Sequence, residues 1–172
     1  MKINKKVEAI LNKQVNAEFW SAYLYLSMSA WSESKGFKGF ANWMLVQFKE
    51  ETSHALKIMN FVISRSGEIK LQPIAAVETS WNSLLNMFEE TYKHECGVTK
   101  MIDNCYEVAI AEKDYATSTM LQWFINEQTE EESNAFEIAE KLKLIGEKSG
   151  GIFYLDKKLG QRTFVDDTKS DE

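Results

Sequence analysis

One proline and eight glycines in 172 residues leave little of the chain obliged to turn, which favours long helices over many short strands. Cysteine is equally scarce. Cys96 and Cys105 form no C-x-x-C pair, so neither a redox motif nor a zinc knuckle is spelled out. They stand nine apart in a stretch of helical period, about half a turn out of phase. They therefore do not pair there and read as reduced thiols of a cytoplasmic protein. No run approaches the roughly 20 apolar residues of a membrane span. The opening "MKINKKVEAILNKQ" lacks the apolar stretch of a secretory signal. Lys/Arg-rich blocks are missing too, and a net charge of −6 argues against nucleic acid as a partner. What remains is 44% apolar and 27% charged, ordinary for a single soluble domain with a full core.

Helical periodicity organises the chain. Val7, Ile10, Leu11, Val15, Tyr25, Met28 and Trp31 form a first stripe that ends near Gly36. Phe40, Met44, Phe48, Ala55, Ile58 and Val62 form a second, ending near "SRSG". The link between them is short, so the two helices should be antiparallel neighbours. Residues 67–80 hold Pro73 and read as an extended crossover, with Ser80 a candidate N-cap for a third helix from about Trp81 to Ala111. After a turn at "EKDY" a fourth helix runs from about Tyr115 to Ile145, with Gly146 as its stop. A short amphipathic piece, "IFYLDKKLG", follows. The expected fold is all-α: two helical hairpins joined by one long crossover into a four-helix bundle, with a short fifth helix. Residues 1–160 should form the domain and 161–172 a polar, acidic, mobile tail.

The stripes contain intruders. Glu18 lies seven residues from both Leu11 and Tyr25, and Glu51 seven from both Met44 and Ile58. His54 shares the face of Glu51, and Glu95 falls between Phe88 and Ile102. On the fourth helix Gln128 sits between Leu121 and Ala135, and Glu131 between Phe124 and Ile138. Their depths agree: Glu18 is 18 residues before Gly36 and Glu51 is 15 after it, while Glu95 is 17 before Glu112 and Gln128 is 16 after it. A repeat links them, since adding 77 to 18, 51 and 54 gives 95, 128 and 131. Burying several ionised carboxylates costs several kcal/mol each, a large share of a total stability of about 5–15 kcal/mol. No lysine or arginine occupies these inward positions, so bound cations are the better counter-charge. Oxygen ligands with one imidazole suit iron or manganese better than a thiolate zinc site.

From about Val7 to Leu159 the chain resembles a bacterial non-haem ferritin, on the stretches "NAEFWSAYLYLSMSAW", "FKEETSHALKI", "FEETYKHE", "LQWFINEQTEEE" and "KSGGIFYLDKKL". Ferritin-like bundles with Glu and Glu-x-x-His on facing helices are a described carboxylate architecture. The resemblance implies iron storage through a ferroxidase centre. One iron would be held by Glu18, Glu51 and His54, and its neighbour by Glu51, Glu95 and Glu131, with Glu51 bridging. Gln128 would sit beside them and Tyr25 next to the centre. A third iron site would draw on Glu50, Glu127, Glu130 and Glu131.

The implied reaction is oxidation of Fe(II) by O2 or H2O2, then deposition of ferric oxide inside a hollow 24-subunit shell. Haem is not expected, because the position of the haem-ligating methionine of bacterioferritins is Thr52 here. The acids that line the entry channel of animal ferritins correspond to Ser118 and Leu121, so no entry route is implied. A DNA-protecting mini-ferritin is a rival, against which stand the full ligand set and acidic tail. A rubrerythrin-like di-iron oxidoreductase is another, but its cysteine pairs are missing.

Overall fold

A computed structural model of the chain describes residues 2–146, 150–166 and 168. Among them are five helices and no strand: α1 Lys5–Ser34, α2 Lys38–Ser64, α3 Leu84–Ala111, α4 Tyr115–Ile145 and α5 Gly151–Leu159. The polar links between helix ends fix the topology. Ile3 N–H donates to the Arg65 carbonyl at 3.0 Å, joining the start of α1 to the end of α2. Lys6 pairs with Glu112 at 2.6 Å, bringing the end of α3 to the same place. Arg65 pairs with Asp114 at 3.0 Å and adds the start of α4. Helices α1 and α4 therefore run one way, and α2 and α3 the other.

The crossover between the hairpins runs the length of α1. Lys70 N–H donates to Asn12 Oδ1 at 2.6 Å, and Ser27 Oγ to the Glu78 carbonyl at 2.7 Å. Trp81 then packs edge-on to Trp31, with centroids 5.7 Å apart. Helix α3 begins at Leu84, three residues later than the apolar pattern indicates, and its N-cap is Ser83 rather than Ser80. The reason is a reciprocal cap. Ser83 Oγ accepts from Asn86 N–H at 3.0 Å, and Asn86 Oδ1 accepts from Asn82 N–H at 3.3 Å. Trp81 is buried, but from the loop before the helix.

Helix α2 lacks a side-chain cap of its own, since Phe37 occupies that place. Asp156 of α5 supplies one, its Oδ1 accepting from Gly39 N–H at 2.8 Å and Phe40 N–H at 3.0 Å. Gly39 is required there: a Cβ on it would stand 1.6 Å from the Asp156 carbonyl oxygen. Leu155 and Leu159 anchor α5 in the core. The segment expected as a tail from 161 is anchored over its described part, because Asn42 Nδ2 holds the Arg162 carbonyl at 2.9 Å. Positions 167 and 169–172 lie outside the described residues.

The core comes in two pieces. One gathers Tyr25, Met28, Phe40, Met44 and Phe88 toward the α5 end, and the other Val7, Leu11, Ile58, Ile102 and Leu121 toward the opposite end. Each long helix carries polar residues near the middle of its buried face, between apolar stretches. Four such middles at one depth make a polar slab through the bundle.

Candidate metal centre

The slab is built from Glu18 on α1, Glu51 and His54 on α2, Glu95 on α3, and Gln128 and Glu131 on α4, none more than 3% exposed. Ligand atoms of Glu18, Glu51 and His54 lie within 4.8 Å of one another, as do those of His54, Glu127 and Glu131. The two groups share His54. Each outer carboxylate is held from behind by a neutral donor. Gln14 Nε2 donates to Glu18 Oε1 at 2.8 Å, and Gln47 Nε2 to Glu131 Oε2 at 2.7 Å. Glu95 accepts from the Tyr25 hydroxyl on one oxygen and from Gln128 Nε2, at 3.2 Å, on the other. Glu51 is the exception: among the described residues no neutral side chain donates to either of its oxygens, its one hydrogen bond being the carboxyl–carboxylate contact with Glu18. His54 Nδ1 stands 3.6 Å from its Oε2.

Electrostatics sharpen the contrast. Burial raises the Glu51 carboxyl well above the usual range, and the charges of Glu95, Glu18 and Glu131 push it further. Glu131 is raised well above its ordinary value by burial and by Glu95 and Glu50, with Gln47 and Arg162 opposing. Burial also raises Glu18, against the pull of its hydrogen bonds. Glu95 goes up to about 7, its burial partly offset by Tyr25 and Gln128. His54 moves the other way, to about 4, through burial first and the Lys57 charge second. The imidazole is therefore neutral and offers a lone pair, not a positive charge. Among the described residues these four buried carboxyls face each other with no buried lysine or arginine beside them, and Glu51 accepts from no neutral donor. Such a set holds either protons or metal ions. All-oxygen donors with one imidazole suit iron or manganese.

Of the residues picked out in the sequence, Glu18, Glu51, His54, Glu95, Gln128 and Glu131 come together, and Tyr25 touches them through Glu95. Glu127 joins through His54 and Glu131. Glu50 lies beside them with its carboxylate on Arg162 Nη2 at 2.6 Å, whereas Glu130 is exposed to solvent. Gln14, Gln47 and Arg162 went unnoticed. Gln14 precedes the glutamate it holds by four residues, one helical turn, but Gln47 holds Glu131 of another helix, a pairing that no spacing marks. Arg162 carried no signal, since it reaches the site from beyond the last helix. Cys105 is no ligand: burial pushes its thiol up to about 12, and it lies behind Gln14.

Known proteins resemble this chain along nearly its whole length. The ferritin-like domain family matches residues 8–145. A bacterial non-heme ferritin of Bacteroides fragilis (strain 638R) is 44% identical over 160 residues, covering 93% of this chain and 99% of that protein. One from Campylobacter jejuni is 38% identical over 154 residues, 90% of this chain and 92% of the other. Among solved structures, the open-pore ferritin of the archaeon Archaeoglobus fulgidus superposes with a TM-score of 0.93 at 48% identity, covering 95% of this chain and all of that one.

Proposed function

The chain belongs to the ferritin-like family, and from that premise we propose that it stores iron by oxidising Fe(II) at the slab and depositing the ferric product inside an oligomeric shell. The observation that carries this reading is Glu51, a buried carboxylate that accepts from no neutral donor, grouped with Glu18 and His54 on one side and facing the charges of Glu95 and Glu131 on the other. One ferrous ion is bound by Glu18, Glu51 and His54, and the other by Glu51, Glu95 and Glu131. A bridging carboxylate must leave both oxygens uncommitted, whereas the outer carboxylates can each spend an oxygen on a fixing donor.

Gln14, Gln47 and the Tyr25–Gln128 pair hold those outer carboxylates in place. Outer partners of this kind set ligand orientation and basicity. Their donors are neutral, so they add no charge that would compete with a cation. Tyr25 stays protonated, its hydroxyl raised well above its usual value by burial and by the charges of Glu95, Glu51 and Glu131. It can therefore keep donating to Glu95 while the site fills. Binding expels the protons that the raised carboxyls hold. Each ferrous ion then gives one electron, and the two electrons with two protons from solvent take O2 to H2O2, or H2O2 to two waters. Carboxylate oxygens favour the harder Fe(III), which supplies part of the driving force. Glu50, Glu127, Glu130 and Glu131 would hold a third ion beside the pair. All six slab residues come from one chain, which supports the storage reading over a mini-ferritin with shared ligands.

Aerobic addition of excess Fe(II), followed by sizing, tests the whole reading. The expected product is a soluble, iron-loaded particle of 24 chains. Free ferric precipitate beside a monomeric protein would overturn it.

A further inference from the structure

Beyond α5 the chain turns back along α2 and sets one arginine at the edge of the slab. Asn42 Nδ2 donates to the carbonyls of Leu159 at 3.3 Å and Arg162 at 2.9 Å, which fixes the return. The Arg162 guanidinium lies over the Trp43 ring, 4.7 Å from its centroid. Its Nη2 donates to Glu50 Oε2 at 2.6 Å and its Nη1 to Gln47 Oε1. Gln47 turns its NH2 to Glu131 Oε2 at 2.7 Å, so hydrogen bonds run unbroken from Arg162 to a slab carboxylate. Farther along, Lys57 Nζ donates to the Thr168 carbonyl at 3.0 Å, so the returning segment passes the centre along α2.

We propose that Arg162 is a built-in cation occupying the place of a third metal ion beside the two-metal cage, and that this ion binds only when Arg162 and its segment withdraw. The inference rests on the di-metal reading above. A guanidinium keeps its charge at every working pH, so it neutralises Glu50 permanently where water is scarce: the two side chains are 23% and 18% exposed. A cation that takes Glu50 must first break a charge-assisted pair. Arg162 also fixes the Gln47 amide with its oxygen outward and its NH2 on Glu131. Its departure frees that amide to flip and offer oxygen to a cation. Arg162 is thus a positioning residue that makes the chain select two ions and discourage a third.

Anaerobic calorimetric titration with Co(II), compared between the native protein and Arg162→Gln and Arg162→Lys, tests this. The native protein should bind two ions tightly and a third at least about tenfold more weakly, from the strength of a charge-assisted hydrogen bond. Arg162→Gln should tighten the third by about tenfold or more, while weakening the first two by no more than Gln47→Ala does. Arg162→Lys should bind like the native protein. Glu50→Gln also releases Arg162 but should abolish the third ion. A third ion equally weak in native and Arg162→Gln protein, or equally tight in Arg162→Gln and Glu50→Gln, would overturn the proposal. Should Arg162→Gln not fold, hydrogen exchange on the native protein decides: Co(II) beyond two equivalents should speed exchange in residues 160–166, and unchanged exchange counts against it. Failure to bind even two ions tightly would sink the di-metal reading instead.

Discussion

Glu51 differs from every other carboxylate of the slab in having no neutral donor, and that difference predicts unequal consequences of mutation. Glu51→Ala removes a ligand from both ions at once. The initial rate of Fe(II) oxidation should fall by at least about 100-fold, beyond the 10–100-fold typical of a lost outer partner. Gln14→Ala and Gln47→Ala, which remove outer partners only, should fall within that smaller range. Stopped-flow absorbance at two Fe(II) per chain compares them, and equal losses in all three variants would refute the bridging role. The buried polar residues of the slab were legible in the sequence, because a period of seven exposes a carboxylate among apolar neighbours and the offset of 77 repeats the pattern. Their supports were not. A glutamine within a helix looks like any polar residue, and Arg162 acts from a segment whose composition reads as loose tail.

At the scale of elements, scarcity of proline and glycine made four of the five helices readable almost to the residue. The exception, the start of α3, shows what periodicity misses. Trp81 is apolar, buried and in phase with Leu84 and Phe88, yet it packs from the loop. Capping geometry at Ser83 decides the boundary, and hydrophobicity has no say in it. Least legible was the dependence of α2 on α5, which joins Gly39 to Asp156 across 117 positions. It carries a prediction of inverted sign. Gly→Ala inside a helix ordinarily stabilises by about 0.5–1 kcal/mol. At Gly39 the new Cβ would collide with the Asp156 carbonyl at 1.6 Å, so α5 must lift and both hydrogen bonds from Asp156 are lost. Gly39→Ala should therefore destabilise by about 2 kcal/mol, at about 1 kcal/mol per bond. Thermal melting checks it, and an unchanged or higher Tm would show that α5 does not cap α2.

For the molecule as a whole, a polar slab between two apolar cores makes stability depend on what fills the slab. Without metal, the raised carboxyls are stable as acids. Glu95 goes from an ordinary 4.5 to about 7 in the fold, so its contribution is complete below 4.5 and lost as pH rises through 7. The shift is worth about 3 kcal/mol at 1.36 kcal/mol per unit. Glu18, Glu51 and Glu131 act with the same sign. His54 and His94, an α3 imidazole 2.8 Å from Ser21 Oγ, act oppositely: each falls from 6.5 to about 4 through burial, so their contribution is complete above 6.5 and lost on acidification. Between pH 6.5 and 8 only the carboxyls remain, and the denaturation midpoint of chelator-treated protein should fall across that interval. With saturating Co(II) the slope should vanish or reverse, because metal competes with protons for the same oxygens and binds better as they leave. Glu51→Gln should flatten the metal-free slope and raise the midpoint at pH 8, since an amide there has no charge to bury. A metal-free midpoint that is level from pH 6.5 to 8 would mean the slab carboxyls are already compensated without metal, and the case for a cation-filled centre would lose its physical basis.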